Sequence, residues 1–505
     1  MQSDPTSPAG LSQRRRIAFL LKDSILYGGA AALSKAFALI TFPLLARHFT
    51  VADYGVLDYF ITLALVAALA LIFGQDSAVA RYFYEYEDRK QRSQIISQSL
   101  LIQIITVAAV VPILWVLSDD LTGWLLGKPE LGRLMRAMLL QLPFLVVITF
   151  CQNLLKWTFA RAGFLLMSLG FTVWQAGTLF VAVAVLDLGV EGVLLASALT
   201  GALFAGIGLF LVRSWLVIPQ DLAFWKVLVP YAAPFGVICV LSALSPTLER
   251  TLTVHLLGEH DLGLYAAGAK IAMLIGLLVN AFQTAWGPFS LAIYKQQDAG
   301  VTYNWVFKHF SILACAATFG LSLAAPLLIA VLASSKFAGA VTVVYPLAMG
   351  LAIQATSWIT EIGIALSKKS SLSLYGYGAL VLSTLGAISL LAPVLGLAGV
   401  ALGVMIGQAT KAVVASVCAQ SVHPLPWQFG RVVVLFALAT GFGCVGLAAF
   451  THGIWPYLGW MAAGLIGTLV VGWFLVLDGH DRDRLRPVLL LKGGLDGVMA
   501  ALRGR

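Results

Sequence analysis

Apolar runs long enough to cross a bilayer follow one another through this chain with only short connections between them. A helix that spans the hydrocarbon core needs about 20 mostly apolar residues. Inside lipid, each backbone polar group must find its partner within protein, which selects helices for such segments. Fourteen stretches qualify: 24–48, 54–80, 97–118, 134–155, 162–186, 190–212, 228–256, 262–288, 309–333, 341–366, 373–393, 396–420, 430–450 and 457–477. Only 11% of the residues are charged and mean hydropathy is +0.92, whereas soluble proteins carry roughly 25% charged residues. The expected fold is therefore an all-α polytopic membrane protein. Its 48 glycines suit helices that pack closely in lipid. Pro43, Pro112, Pro143, Pro230, Pro234, Pro246 and Pro326 lie in or near spans, where they can bend them.

One phrase occurs twice. Phe49-Thr50-Val51-Ala52-Asp53-Tyr54-Gly55-Val56 returns as Leu257-Gly258-Glu259-His260-Asp261-Leu262-Gly263-Leu264, a shift of 208 that also carries Gln75 onto Gln283. Further on, Leu188-Gly189-Val190-Glu191-Gly192-Val193 falls on Leu395-Gly396-Leu397-Ala398-Gly399-Val400 at a shift of 207. A nearly constant shift indicates two copies of one structural unit. It carries spans one to six onto spans seven to twelve. Six is even, so the copies run in the same sense, related by an axis along the membrane normal.

The expected organisation is a basic N-tail over 1–23, a six-helix bundle over 24–225, a second over 226–423, two additional helices over 424–478 and a basic C-tail over 479–505. With the N-terminus inside, 23 of the 32 Lys and Arg fall in cytoplasmic segments, six at the outer ends and three within spans. The positive-inside rule then places both termini in the cytoplasm. In a bacterial cell this is the inner membrane.

The net charge of +9 sits in loops and tails and speaks to topology, so no nucleic-acid partner is expected. Cys151, Cys239, Cys315, Cys418 and Cys444 are scattered through apolar runs without a CxxC, so neither a disulfide nor a metal site is expected. Arg14-Arg15-Arg16 loosely resembles an export signal, but Lys22-Asp23 interrupts the apolar stretch behind it. The simpler reading is a basic tail before the first span. The C-tail mixes Arg and Leu, and fits either an amphipathic segment on anionic lipid or a solvated tail.

No nucleophile elbow, HExxH or phosphate-binding glycine loop is present, and the longest connection is about 20 residues. The expectation is a protein that is not an enzyme. The unusual residues are charges at membrane depth, where a Lys or Asp costs about 2.5–3.5 kcal/mol on insertion scales. They are Lys35, Asp76, Glu249, Arg250, Lys270, Glu361 and Lys411, with Arg47 and Arg81 near span ends. Arg47 and Arg81 read equally as interfacial anchors, and Asp76 as a salt-bridge partner. Lys35, Lys270 and Lys411 are deep enough to favour an aqueous interior over snorkelling. Lys35, Arg250, Lys270 and Lys411 outnumber Asp76, Glu249 and Glu361, and a cationic interior suits an anionic, phosphate-bearing substrate.

Several of these stretches resemble the polysaccharide-export branch of the MOP superfamily, the Wzx-type O-antigen and exopolysaccharide flippases. Pro43 to Gly55 is similar to that family's first loop, and Gly74-Gln75-Asp76-Ser77-Ala78-Val79-Ala80-Arg81-Tyr82-Phe83 to the end of its second span. Leu248-Glu249-Arg250 and Leu262 to Lys270 are similar to its seventh and eighth spans, with Glu249 where the family often has Asp. The resemblance covers roughly residues 20–420. It implies two six-helix bundles in a V, and alternating access by which an undecaprenyl-diphosphate-linked oligosaccharide crosses to the periplasmic leaflet. A glycan polymerase and a chain-length regulator would be its partners in surface-polysaccharide, lipopolysaccharide or exopolysaccharide assembly. Fourteen spans are shared instead with lipid II flippases, where two extra helices help form a lipid groove.

On this reading Arg250, Lys270, Lys35, Lys411 and Arg47 meet the diphosphate. Asp76, Glu249 and Glu361 are candidates for coupling to a proton or Na⁺ gradient, and no cofactor is expected. A lipid II-type flippase stays open as an alternative. So does a multidrug exporter, although its typical cationic substrates would favour an acidic interior. A membrane-bound glycan polymerase would need a large catalytic loop, and none is visible.

Overall fold

The computed structural model describes residues 40–367, 369–479, 481 and 482, together with Gly29 and Leu33. Fifteen helices carry the fold. They are α1 (Val51–Ile72), α2 (Gln75–Glu85), α3 (Arg89–Val116), α4 (Gly132–Trp157), α5 (Phe171–Phe180), α6 (Val190–Val212), α7 (Trp225–Leu257), α8 (Glu259–Ala272), α9 (Ile275–Ile293), α10 (Ala299–Leu332), α11 (Val341–Thr360), α12 (Ile362–Ser367), α13 (Ser373–Val422), α14 (Phe429–Ala449) and α15 (Ile454–Val471). Short 3₁₀, π and α turns join them.

Among the described residues, eleven helical segments are long and apolar enough to cross a membrane, against fourteen expected. Three places account for the difference. Most of 24–48, Lys35 included, lies outside the described residues. The expected span 262–288 is two pieces, because the backbone tightens between Ala272 and Ile275. There the N–H groups of Leu274, Gly276 and Leu277 bond to carbonyls three residues back, a 3₁₀ pattern that breaks the α-helical ladder. Spans eleven and twelve join in α13, whose backbone turns at Gly396 (φ 57°).

The expected span 54–80 is also interrupted. Phe73 (φ 45°) and Gly74 (φ 73°) both adopt the left-handed conformation, so α1 stops and α2 starts afresh. The cause is packing from α7. A Cβ at Gly74 would lie 2.6 Å from Ala232 O, and one at Gly236 would lie 2.7 Å from the Phe73 ring. Two backbones meet there with no side chain between them.

Contacts divide the chain into two compact units. The first comprises residues 1–270, 329–340 and 377–403. Its core joins Ala78, Val79 and Phe83 of α2 to Ile95 and Ile96 of α3, Cys151 and Leu154 of α4, Phe204 of α6 and Leu228 and Ala232 of α7. Since lipid tails are as apolar as these side chains, close packing and polar contacts hold such helices together rather than a hydrophobic drive. Thr50 starts α1 by accepting the Asp53 N–H at 3.1 Å, as an N-cap does. Five residues further on, Gly55 meets Gly263 of α8. A Cβ on Gly55 would lie 2.5 Å from Gly263 N and 3.0 Å from Glu259 O, and one on Gly263 would overlap Val51 O. The two copies of the repeated phrase therefore touch each other at their glycines.

The second unit comprises residues 271–328, 341–376 and 404–505. Its centre is α11, whose Tyr345 donates to Ala439 O on α14 at 2.7 Å, while Tyr457 on α15 donates to Ser322 O on α10 at 3.1 Å. An ionic clamp closes one end. Lys308 of α10, 3% exposed, donates to Asp478 at 2.7 Å and to Asp481 at 2.6 Å, and Arg431 of α14 also holds Asp478. The Lys308 ammonium bonded to Asp478, opposed by burial and then helped by Arg431, holds that carboxyl down to about 2. A depressed acid contributes stability above its ordinary value and loses it as pH falls through the folded value. The clamp should therefore survive to about pH 4 and fail toward pH 2. Lys308→Met should lower stability by about 2 kcal/mol, because Asp481 stays buried without its cation. An unchanged melting temperature of the purified protein would refute this.

Candidate functional site

Inside the first unit, Asp58 of α1 lies 2% exposed within a run of buried apolar residues. One of its carboxylate oxygens accepts from Arg250 Nε and Nη2, both at 2.8 Å. The other faces Lys270 Nζ at 3.3 Å. One anion thus holds two cations drawn from α7 and α8. Arg250 also donates to Pro246 O at 3.0 Å. A helical carbonyl has two lone pairs, so Pro246 O can take the guanidinium as a second donor. Arg250 lies 5.6 Å from the centre of the Tyr265 ring, a cation–π distance.

The carboxylate of Glu249 turns away from this pair. It accepts from Ser245 Oγ at 2.8 Å and from the Tyr265 hydroxyl at 2.8 Å. Adjacent helical residues point about 100° apart, so Glu249 and Arg250 serve different partners. Tyr59 exchanges a hydrogen bond with Thr251 at 2.9 Å and fixes α1 against α7. Among the described residues, two buried polar atoms beside the cluster have no hydrogen-bond partner: the Tyr54 hydroxyl, one turn before Asp58, and Thr247 Oγ1, one turn before Arg250.

Exposure ranks the members. The side chain of Asp58 is 2% exposed, Arg250 10% and Lys270 29%. Lys270 is therefore the member most open to its surroundings, and Asp58 the least.

The second unit holds another buried pair. Lys411, 1% exposed, donates to Glu361 at 2.8 Å, and Ser357 Oγ donates to the same carboxylate oxygen at 3.0 Å. Glu361 sits at the break between α11 and α12. The ion pair therefore bears on a helix joint. Among the described residues, no group of His, Cys, Asp and Glu forms a metal-holding cluster.

The sequence reading named Arg250, Lys270 and Glu249, and these come together. It named Lys411 and Glu361, and these pair within the second unit, where Lys411 is buried rather than open to water. Arg47 lies apart from both clusters: it donates to Val331 O at 2.7 Å and is exposed. Asp76 lies in the first turn of α2, where it accepts the Ser77 N–H at 2.9 Å and complements the helix dipole. Lys35 is outside the described residues.

Asp58 was missed, and its omission overstated the cationic balance. With Asp58 included, two cations, Arg250 and Lys270, stand beside two carboxylates, of which Asp58 faces them and Glu249 faces Ser245 and Tyr265. The available signal was the residue itself: Asp58 is the one charge in the stretch 54–60, every residue of which is buried.

Comparison with known proteins follows the same outline. Residues 20–293 match the family model described as polysaccharide biosynthesis protein, just over half of the chain. The chain is 25% identical over 306 residues to "Lsg locus putative protein 1" of Haemophilus influenzae, covering 58% of this chain and 72% of that one. Among solved structures it is similar to the lipid II flippase MurJ in an inward closed conformation, with TM-score 0.69, 12% identity and coverage of 92% of this chain and 100% of that chain. It is also similar to an inward-facing multidrug resistance MATE family transporter of the MOP superfamily, with TM-score 0.61, 15% identity and coverage of 82% and 96%. At these identities the likeness is one of fold.

Proposed function

Because the chain belongs to the polysaccharide biosynthesis protein family, we propose that it is a flippase carrying a polyprenyl-diphosphate-linked oligosaccharide across the cytoplasmic membrane for surface-polysaccharide assembly. The observation that carries this reading is the pair of cations held on one carboxylate, with Lys270 partly exposed. A diphosphate offers several anionic oxygens, and both Lys and Arg bind phosphate through charge-assisted hydrogen bonds. Phosphate and Asp58 would compete for the same cations. With phosphate bound, Lys270 and then Arg250 leave Asp58; with phosphate gone, they return to it.

This exchange gives the transporter two electrostatic states, in each of which Arg250 and Lys270 keep an anionic partner. A ligand shifts such an equilibrium only by its differential affinity for the two states. Released Asp58 would lack both of its cations, and a proton would take their place. Proton coupling would follow from that step. Glu249 and Glu361 stay as further coupling candidates, the second because it sits at the α11–α12 joint. The charge distribution supports a cytoplasmic location for both termini, and a polymerase and a chain-length regulator would act on the delivered glycan.

Lys270→Gln tests the reading. It removes the accessible cation and leaves the Arg250–Asp58 pair intact. We expect the flux of lipid-linked oligosaccharide in reconstituted vesicles to fall about tenfold or more, with folded yield unchanged. Lys270→Arg should retain most of the flux. Wild-type flux in Lys270→Gln would remove the argument from the cluster.

A further inference from the structure

A second site lies elsewhere in the first unit, between α5 and α6. The two helices enclose a groove of about 880 Å³ lined by Trp174, Gly177, Val181, Leu195 and Leu199 among others. That volume falls within the ordinary range for small-molecule pockets, about 300–1,000 Å³. The walls offer hydrocarbon. The Thr178 hydroxyl is already committed to Thr200 at 2.9 Å and to backbone carbonyls of its own helix. Leu199 is 71% exposed, Trp174 53% and Val181 47%, and all three lie in helical segments apolar enough to cross a bilayer.

Two features open the groove. A Cβ at Gly177 or at Gly189 would meet nothing within 4 Å, so each glycine leaves space where a side chain would stand. The helix also switches to π geometry over Leu166–Gly170 and Val181–Val185, on either side of α5. Such π turns cost helix regularity and occur mostly at functional sites.

The rim carries charge of both signs. Asp187, in a left-handed turn residue (φ 51°), pairs with His48 at 3.0 Å, and Glu191 pairs with Arg133 at 3.9 Å. Asp187 is 87% exposed and Arg133 74%, so both keep capacity for another partner. The two carboxylates repel a purely anionic headgroup. They attract an ammonium, while Arg133 attracts a phosphate. A primary ammonium can also donate hydrogen bonds to the carboxylates, which a quaternary one cannot.

We propose that this groove seats one zwitterionic phospholipid with a primary-amine headgroup. Its acyl chain lies between α5 and α6, its ammonium faces Asp187 and Glu191, and its phosphate faces Arg133. The site is independent of the Asp58 cluster and of the transport reading.

Native mass spectrometry of the full-length protein tests it, after delipidation and re-addition of phosphatidylethanolamine, phosphatidylglycerol or phosphatidylcholine. One phosphatidylethanolamine should be retained about tenfold more strongly than either other lipid. Gly177→Phe fills the groove and should abolish retention. It also replaces a glycine within a helix, so folding should be preserved. Glu191→Gln gives a second reading that leaves the groove open: it should reduce the preference for phosphatidylethanolamine over phosphatidylcholine and keep the bound hydrocarbon. Equal retention of the three lipids by the wild type, or unaltered retention in Gly177→Phe, overturns the proposal. Displacement of phosphatidylethanolamine by an equimolar polyprenyl phosphate also overturns it, since the groove would then serve the substrate's own tail.

Discussion

Asp58→Ala should cost about 3–5 kcal/mol of stability and abolish transport, the larger part of the stability loss coming from charges left behind. Arg250 and Lys270 both rest on this one carboxylate. Removing it leaves a guanidinium that is 10% exposed with no anion on its Nε and Nη2. Asp58→Asn separates charge from shape: the amide oxygen still accepts from Arg250, but the attraction is neutral. It should fall between wild type and alanine. Adding Lys270→Gln to Asp58→Asn removes one of the two stranded cations and should restore part of the loss. Contacting residues in one network are expected to couple by 0.5–3 kcal/mol in such a cycle. Thermal unfolding in detergent reads Asp58→Ala and the cycle of wild type, Asp58→Asn, Lys270→Gln and the double variant. Additive effects of the two substitutions would show that Asp58 and Lys270 do not share an interaction.

Gly263→Ala should be the most damaging single-methyl change in the first unit. Its Cβ would overlap the carbonyl of Val51, and backbone cannot swing aside as a side chain tip can. Overpacking commonly costs about 1–3 kcal/mol where side chains yield. A collision with backbone belongs at or above the top of that range. The reciprocal Gly55→Ala should behave similarly, since its Cβ would meet Gly263 N at 2.5 Å. Gly206→Ala supplies the control, because nothing lies within 4 Å of a Cβ there. It should be neutral or slightly stabilising, as expected for Gly→Ala in a helix. Folded yield after solubilisation distinguishes them, and equal yields from Gly263→Ala and Gly206→Ala would refute the close approach.

The helices were legible because a bilayer-length apolar run admits one regular structure. Their interruptions were not. Phe73 and Gly74 break a run that reads as continuous, and the cause is Gly236 on α7, more than 150 residues away. The turn between Ala272 and Ile275 has only Gly276 to signal it. The site divides in the same way. Arg250, Lys270, Lys411, Glu249 and Glu361 stood out because charge at depth is costly. Asp58 did not, because it lies in the opening turns of its span, where a carboxylate reads as an end residue. Its burial follows from α7 and α8 closing over it, and the hydrogen bond that matters joins residues 192 apart. Pairing across such a distance leaves no local pattern.

The meeting of Gly55 with Gly263 is symmetric. Under the shift of 208, Val51 corresponds to Glu259. Gly55 approaches the carbonyl of Glu259, and Gly263 approaches the carbonyl of Val51. Each partner thus makes to the other the contact that the other makes to it. That reciprocity defines an isologous interface, the kind two identical subunits form about a two-fold axis. At this point the single chain makes the reciprocal contact that two copies of one unit would make about a two-fold axis. Elsewhere the copies differ under the same shift: Asp58 stands opposite Ala266 and Arg250 opposite Phe42. A residue on the axis meets its own counterpart, so neither glycine could change without the other feeling it.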